Sequence, residues 1–256
     1  MLVFSTHDAA VFLLTGAPFW GMPPGASLHS PAIDALMRTS LGILLGFLLL
    51  AQVLAFTGLF LAPRAKTRFS APWRWGMLVV LVALFVWMTA VAEHLWTATS
   101  IAKAEANAVQ VEVTGVQFEW YFRYPGPDGV YGRTRPELID AAGGNPLGVD
   151  PNDPHSKDDL VRSVLVLPVG EEVHVQLRAQ DVIHGFFIPA MRVKLNAVPG
   201  RVTQLHFTPM KTGSYAIVCS QVCGLGHYRM HAELRVVTAA EFAQWQAQQE
   251  AAQAEP

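Results

Sequence analysis

Two long apolar runs followed by a series of short alternating ones divide this chain. From Leu41 to Ala62 the sequence reads "LGILLGFLLLAQVLAFTGLFLA", without a charge and with only Gln52 and Thr57 as polar interruptions. As a helix this run spans about 33 Å, enough for a hydrocarbon core of about 30 Å. The run from Trp75 to Trp96 is of similar length and carries no charge until Glu93. The pattern predicts a transmembrane hairpin over 39–96, with helices at about 41–62 and 75–96. A buried helix pair in a soluble protein is the alternative, and it fits poorly with uncharged runs of this length.

Beyond Trp96 the texture changes. Val109, Val111 and Val113 alternate with Gln110, Glu112 and Thr114, the period of a half-exposed strand. "VQFEWYFRY", "SVLVLPVG", "EEVHVQLRA", "RVTQLHFTP", "GSYAIVC" and "HAELRVV" continue in this way, separated by turn residues. They predict an all-β barrel or sandwich over 97–238. The stretch from Tyr124 to Asp159 is rich in Pro, Gly and Asp and reads as a long surface excursion. The tail 239–256 has helix formers and an acidic first turn, and is expected to be helical or disordered. The first 38 residues contain a short apolar stretch without a basic flank, which neither requires nor excludes a cleaved leader.

Charge orients the hairpin. Arg64, Lys66, Arg68 and Arg74 crowd the loop between the two runs, and no acidic residue joins them. The positive-inside rule keeps that loop cytoplasmic, so both termini and the β region, 1–38 and 97–256, lie on the outer side. Trp73, Trp75 and Trp96 are placed to anchor the helix ends at the interfaces. The net charge is −2 and there is no basic run, which gives nucleic acid no footprint.

The two cysteines stand in "CSQVCGLGHYRM", a C-x3-C-x3-H-x2-M pattern directly after a predicted strand. Two thiolates, an imidazole and a thioether suit copper, whereas structural zinc has little use for methionine. A mononuclear blue site needs one thiolate, so the second asks for a reason. Two bridging thiolates would hold two ions, and each ion then needs a histidine. His174 and His206 lie in alternating strand patterns, and His155 lies in the excursion. His184, in "DVIHGFFIP" at the end of a strand-like run, is better placed for one loop to meet another. A Cys219–Cys223 disulfide remains an alternative in an oxidising compartment.

The pair "DVIHGFFIP" and "CSQVCGLGHYRM", preceded by a two-helix hairpin and the aromatic strand "VQFEWYFRYP", closely resembles subunit II of haem-copper cytochrome c oxidases from about Ser30 to Thr238. The resemblance implies a cupredoxin-like barrel with a binuclear CuA centre. Cys219 and Cys223 would be its bridging thiolates, and His184 and His227 its terminal imidazoles. Met230 and the carbonyl of Gln221 would be weak ligands. It implies an electron-entry subunit in a bacterial inner membrane, taking electrons from a cytochrome c. These would pass to haem in catalytic subunit I, where oxygen becomes water and protons are pumped. Catalytic residues are then expected in that partner and none in this chain.

Three positions depart from the family. Gln221 stands where a glutamate usually helps bind magnesium at the subunit interface, and a neutral amide is a poorer ligand for a hard cation. Phe118 stands where a tryptophan usually admits electrons, while Trp120 is retained, so Phe118 or its neighbour is the expected entry. Asn196 replaces a frequent aspartate. For docking, Asp128, Glu137, Asp140, Asp150, Asp153, Asp158 and Asp159 offer a negative rim, or else a merely solvated loop. Competing readings are a CuA subunit of a nitric oxide reductase, a membrane-tethered copper carrier or sensor, and a structural subunit with a disulfide.

Overall fold

A computed structural model describes residues 22–61, 71–97 and 107–254. One of its two units is formed by helices α1 (Ser30–Leu61) and α2 (Ala71–Trp96). They contain 32 and 26 residues, so they are about 48 and 39 Å long. Both are long and apolar enough to cross a membrane. Leu49, Leu54, Phe56, Val79 and Phe85 are more than half exposed, a surface that water disfavours and lipid does not. α1 begins at Ser30, within the segment first assigned to the N-terminus, and α2 begins at Ala71. Hydropathy marks only the apolar part of a helix. Pro31 occupies a first-turn position, where its missing N–H leaves nothing unsatisfied, and the charged Asp34 and Arg38 interrupt the apolar signal without interrupting the helix. Residues 1–21 and the cations Arg64, Lys66 and Arg68 lie outside the described residues.

The other unit is the expected all-β sandwich. Its strands are β1 (Val109–Val116), β2 (Glu119–Tyr124), β3 (Leu160–Arg162), β4 (Val164–Pro168), β5 (Val173–Ala179), β6 (His184–Ile188), β7 (Val193–Ala197), β8 (Thr203–Phe207), β9 (Gly213–Cys219) and β10 (His231–Val237). One sheet has the order β3-β2-β1-β5-β8 and the other β4-β10-β9-β6-β7. β1 runs parallel to β5 and β4 parallel to β10; the remaining pairs are antiparallel. Alternation along β5 buries Val173, Val175 and Leu177 and leaves His174 and Gln176 half-buried, as the period of two requires. These residues meet Leu165, Leu167, Ile217, Leu234 and Val236 in one core. Tyr124 joins the sheets: its hydroxyl donates to Val166 O at 3.0 Å and accepts from Val166 N–H at 2.8 Å.

Two segments outside the strands are tied to the sandwich. Ala26 N–H donates to Ala190 O at 2.8 Å, Met210 N–H to Ala26 O at 2.7 Å, and Ser27 Oγ to Met191 O at 2.7 Å, so the chain just before α1 is strapped to the β domain. After β10, a capping box opens helix α3 (Ala239–Ala254), in which Thr238 N–H donates to Glu241 Oε2 at 2.8 Å and Glu241 N–H to Thr238 Oγ1 at 3.3 Å. Phe242 is buried, and Trp245 sets its ring 5.1 Å from that of Tyr124. The tail is therefore helical through Ala254.

The excursion corrects an expectation. Asp150, Asp153 and Asp159 are buried, and so cannot belong to an exposed acidic rim. Asp150 pairs with Arg135 at 2.9 Å and Asp153 with Arg133 at 2.9 Å. Asp159 pairs with Arg123, which is 1% exposed and also lies 3.5 Å from Glu112. Burial pushes the Asp159 carboxyl up in spite of that arginine. Composition suggested a solvated loop because it cannot register which carboxylates find guanidinium partners.

Replacing Arg123 by Met should lower unfolding free energy by about 3–5 kcal/mol, because it strands Glu112 and Asp159 in the interior; chemical denaturation measures this. At the surface, Asp128 bonds His155 Nδ1 at 2.6 Å, which raises the His155 pKa and lowers that of Asp128. The histidine's contribution to stability is complete below its unfolded value and is lost as pH rises through its raised folded value. The aspartate's is present above its unfolded value and is lost as pH falls through its lowered one. An NMR titration should place His155 above 6.5, and Asp128→Asn should return it toward that value.

Candidate metal centre

The donors gather where two strands of one sheet end side by side. β6 begins at His184, correcting the expectation that it closes a strand, and β9 stops at Cys219. The two strands pair antiparallel with Phe186 opposite Cys219, which brings the start of one beside the finish of the other. β9 then pairs with β10, with Val218 opposite His231, so 220–230 is a hairpin loop. Cys219 N–H donates to Met230 O at 3.1 Å and Ser220 N–H to Gly185 O at 2.8 Å, closing the loop at its base.

Within that loop Cys219 Sγ lies 3.9 Å from Cys223 Sγ. Both thiols are free, and the spacing is far beyond a disulfide's roughly 2.05 Å. With metal–thiolate bonds of about 2.3 Å, a cation between them touches both sulfurs. Cys223 Sγ is also 3.7 Å from His227 Nδ1 and 3.7 Å from Met230 Sδ, and the Cys219 thiol donates to Gln221 O at 3.1 Å. His184 completes the set: one ring nitrogen lies within 4.8 Å of both sulfurs. All six predicted ligands are therefore in one place. Cys219, Cys223, Met230 and His184 are buried, His227 is half-buried, and the Gln221 side chain is exposed.

His184 could serve a metal. Its Nε2–H donates to Asp181 Oδ1 at 2.8 Å, and a carboxylate only accepts, so the proton sits on Nε2. Nδ1 is fully buried and has no hydrogen-bond partner, and in the neutral ring it carries a lone pair. A cation satisfies such an atom without a proton, and a carboxylate behind the imidazole is the usual outer support of a metal-ligating histidine. Burial opposes ionisation of Asp181, but bonds from His184 and from the N–H groups of Gln117 and Val182 outweigh it and hold the carboxyl below its ordinary value. Burial first, then the neighbouring Cys219, pushes the Cys223 thiol up to about 11. Without metal it is a protonated thiol at neutral pH, and a bound cation has to displace that proton.

Close packing surrounds the donors. Gly115 has space for no side chain, since a Cβ there would meet His184 Cδ2 at 2.9 Å. A Cβ on Gly226 would come within 2.4 Å of the Phe118 ring. Trp120 is 2% exposed, edge-on to His184 at 5.8 Å and to Phe186 at 5.3 Å, so it lies behind the site rather than at the surface. Phe118 is half-buried against the cysteine loop. Outside, Val182, Ile183, Val222, Leu225 and Tyr228 are exposed, Leu225 at 99%. The three other candidate histidines are occupied elsewhere. His174 Nδ1 lies 2.7 Å from Gln110 Oε1, His206 Nδ1 2.9 Å from Glu172 Oε1, and His155 bonds Asp128. Sequence reading passed over Asp181 and Gln117. The first leaves a signal, an acid three residues before the liganding histidine; the second acts across long separations and leaves none.

The chain is similar to several known proteins. Residues 150–237 match the family described as "Cytochrome C oxidase subunit II, periplasmic domain". The chain is 39% identical over 146 residues to an alternative cytochrome c oxidase subunit 2 of Bradyrhizobium diazoefficiens, covering 56% of this chain and 52% of that protein. It is 31% identical over 188 residues to cytochrome c oxidase subunit 2 of Cereibacter sphaeroides, covering 66% and 56%. The crystal structure of the periplasmic domain of cytochrome oxidase subunit II from Bradyrhizobium japonicum matches with 30% identity and a TM-score of 0.44, covering 60% of this chain and 99% of that one. The chain spans about half the length of these two curated relatives.

Gly226→Ala forces the Phe118 ring out of the cysteine loop. It should destabilise the fold by about 1–3 kcal/mol, measured by chemical denaturation of the metal-free protein.

Proposed function

From its likeness to cytochrome c oxidase subunit II, we propose that the chain is the electron-entry subunit of a bacterial haem-copper oxidase, built to hold a binuclear CuA centre. The observation that carries this reading is two free thiols 3.9 Å apart beside a buried imidazole nitrogen with no hydrogen-bond partner. Cys219 and Cys223 would bridge, His184 and His227 would each serve one metal, and Met230 and the Gln221 carbonyl would be weak ligands. When bound, such a centre supplies a one-electron relay that changes shape little between its charge states.

The chain's own residues favour that relay. Cys219 is fixed by strand pairing, His184 is held by Asp181, and Trp120, itself packed on Phe186, covers the inner side of the imidazole. Ligands that do not move keep reorganisation small. Val182, Ile183, Val222, Leu225 and Tyr228 present an apolar surface next to the ligands for a transient donor, a cytochrome c. Asp128, Glu137 and Asp140 stay exposed and add negative charge for steering a basic partner. Helices α1 and α2 would anchor the subunit in the inner membrane, with the basic loop cytoplasmic and the β domain outside. Electrons would pass to haem in the catalytic subunit, which reduces oxygen to water and pumps protons. At 221 the chain offers magnesium only an exposed neutral amide, a poorer ligand than a carboxylate.

The purified chain should bind two coppers and show an EPR spectrum split by both nuclei. Met230→Leu should keep both ions and shift the reduction potential. One copper per chain, or zinc in its place, sinks the binuclear reading.

A further inference from the structure

One turn touches both ligand-bearing loops. Between β1 and β2, Gln117 N–H donates to Asp181 Oδ2 at 2.7 Å, while Oδ1 of the same carboxylate receives His184 Nε2–H at 2.8 Å. The side-chain amide of Gln117 reaches the other way and donates to the Cys223 carbonyl. Beside it, the Phe118 ring packs into the space left by Gly224 and Gly226. A single residue thus grips the histidine loop with its main chain and the cysteine loop with its side chain.

We propose that Gln117 is a positioning residue which, with Asp181, clasps the two loops together and sets the separation of His184 from Cys223; this rests on the copper reading above. The need for a clasp follows from the topology. β6 and β9 share only the register pairs Phe186↔Cys219 and Phe187↔Val218, and past Ser220 the chain leaves the sheet. The loop's apolar residues Val222, Leu225 and Tyr228 point into solvent and pack on nothing that would hold it. The loop's own hydrogen bonds tie Gly224 to His227 and His227 to Met230 but reach no part of the histidine loop, whereas the Gln117 amide holds the Cys223 carbonyl from a residue that also bonds the carboxylate behind His184. A shift of the histidine loop strains the bond from Gln117 N–H to Asp181, and a shift of the cysteine loop strains the bond from the Gln117 amide to the Cys223 carbonyl, so both movements are resisted at one residue. That is how a sheet edge and a solvent-exposed loop keep a common geometry when the charge between them changes.

The test uses the full chain in detergent, as wild type, Gln117→Met and Gln117→Ala. Met keeps the length of the side chain and removes the donor. In the metal-free protein, the rate at which the two thiols react with a disulfide reagent should rise several-fold in both variants, while the melting temperature stays put. In the copper-loaded protein, affinity should weaken about 10- to 100-fold and the hyperfine pattern should change. Placed in an Asp181→Ala background, Gln117→Met should add less than it does alone, the mark of groups acting together. Wild-type thiol rates and copper retention in Gln117→Met overturn the proposal, and so does simple additivity with Asp181→Ala. Failure of both variants to fold assigns the residue to the fold alone and also overturns it. A wild-type chain that takes up no copper refutes the copper reading instead, and the thiol rates then decide the clasp by themselves.

Discussion

The pairing of β6 with β9 is the constraint on which the site depends. It places His184 at the first residue of one strand and Cys219 at the last residue of its neighbour, so two donors far apart in the chain share one sheet edge. The β9–β10 hairpin then returns Met230 to the Cys219 amide, leaving Cys223 and His227 on the loop between them. The sheet supplies rigidity where the ligands are attached, and the loop supplies the reach that four clustered side chains require.

Behind that edge the sandwich is stiffened in several ways. Tyr124 binds the two sheets through one residue of β4, α3 covers Tyr124, and the segment before α1 is laced to the turns around Ala190 and Met210. The excursion is drawn in by Arg123, whose buried guanidinium gathers Asp159, Glu112 and the Gly132 carbonyl. A buried charge of this kind is specific: it tolerates few alternative placements of its partners, because each alternative leaves an ion without its counter-charge. Such anchoring keeps the β1–β2 turn, and with it Gln117 and Phe118, in register with the ligand loops.

Much of this was legible beforehand. Apolar runs too long and too uncharged for a soluble core indicated the helices, and period-two alternation indicated β1, β5, β8, β9 and β10, since both signals are local consequences of burial. The spacing of Cys219, Cys223, His227 and Met230 indicated a soft-metal loop for the same reason: a hairpin bends those neighbours toward one point. Short strands such as β3 and β7 were missed because three to five residues leave no period to read. The start of α1 was missed because helical backbone bonds do not need an apolar side chain at each turn.

What the sequence by itself determined is the chemistry available: two thiols, a thioether and imidazoles, and apolar spans of membrane length. Tertiary structure alone decided which aspartates are buried, and that a glutamine in a distant turn reaches both loops. The physical reason is distance along the chain. Burial patterns and turn chemistry are written in neighbouring residues, whereas an ion pair or a hydrogen bond between remote segments exists only once sheet order and register have brought its partners within about 3 Å.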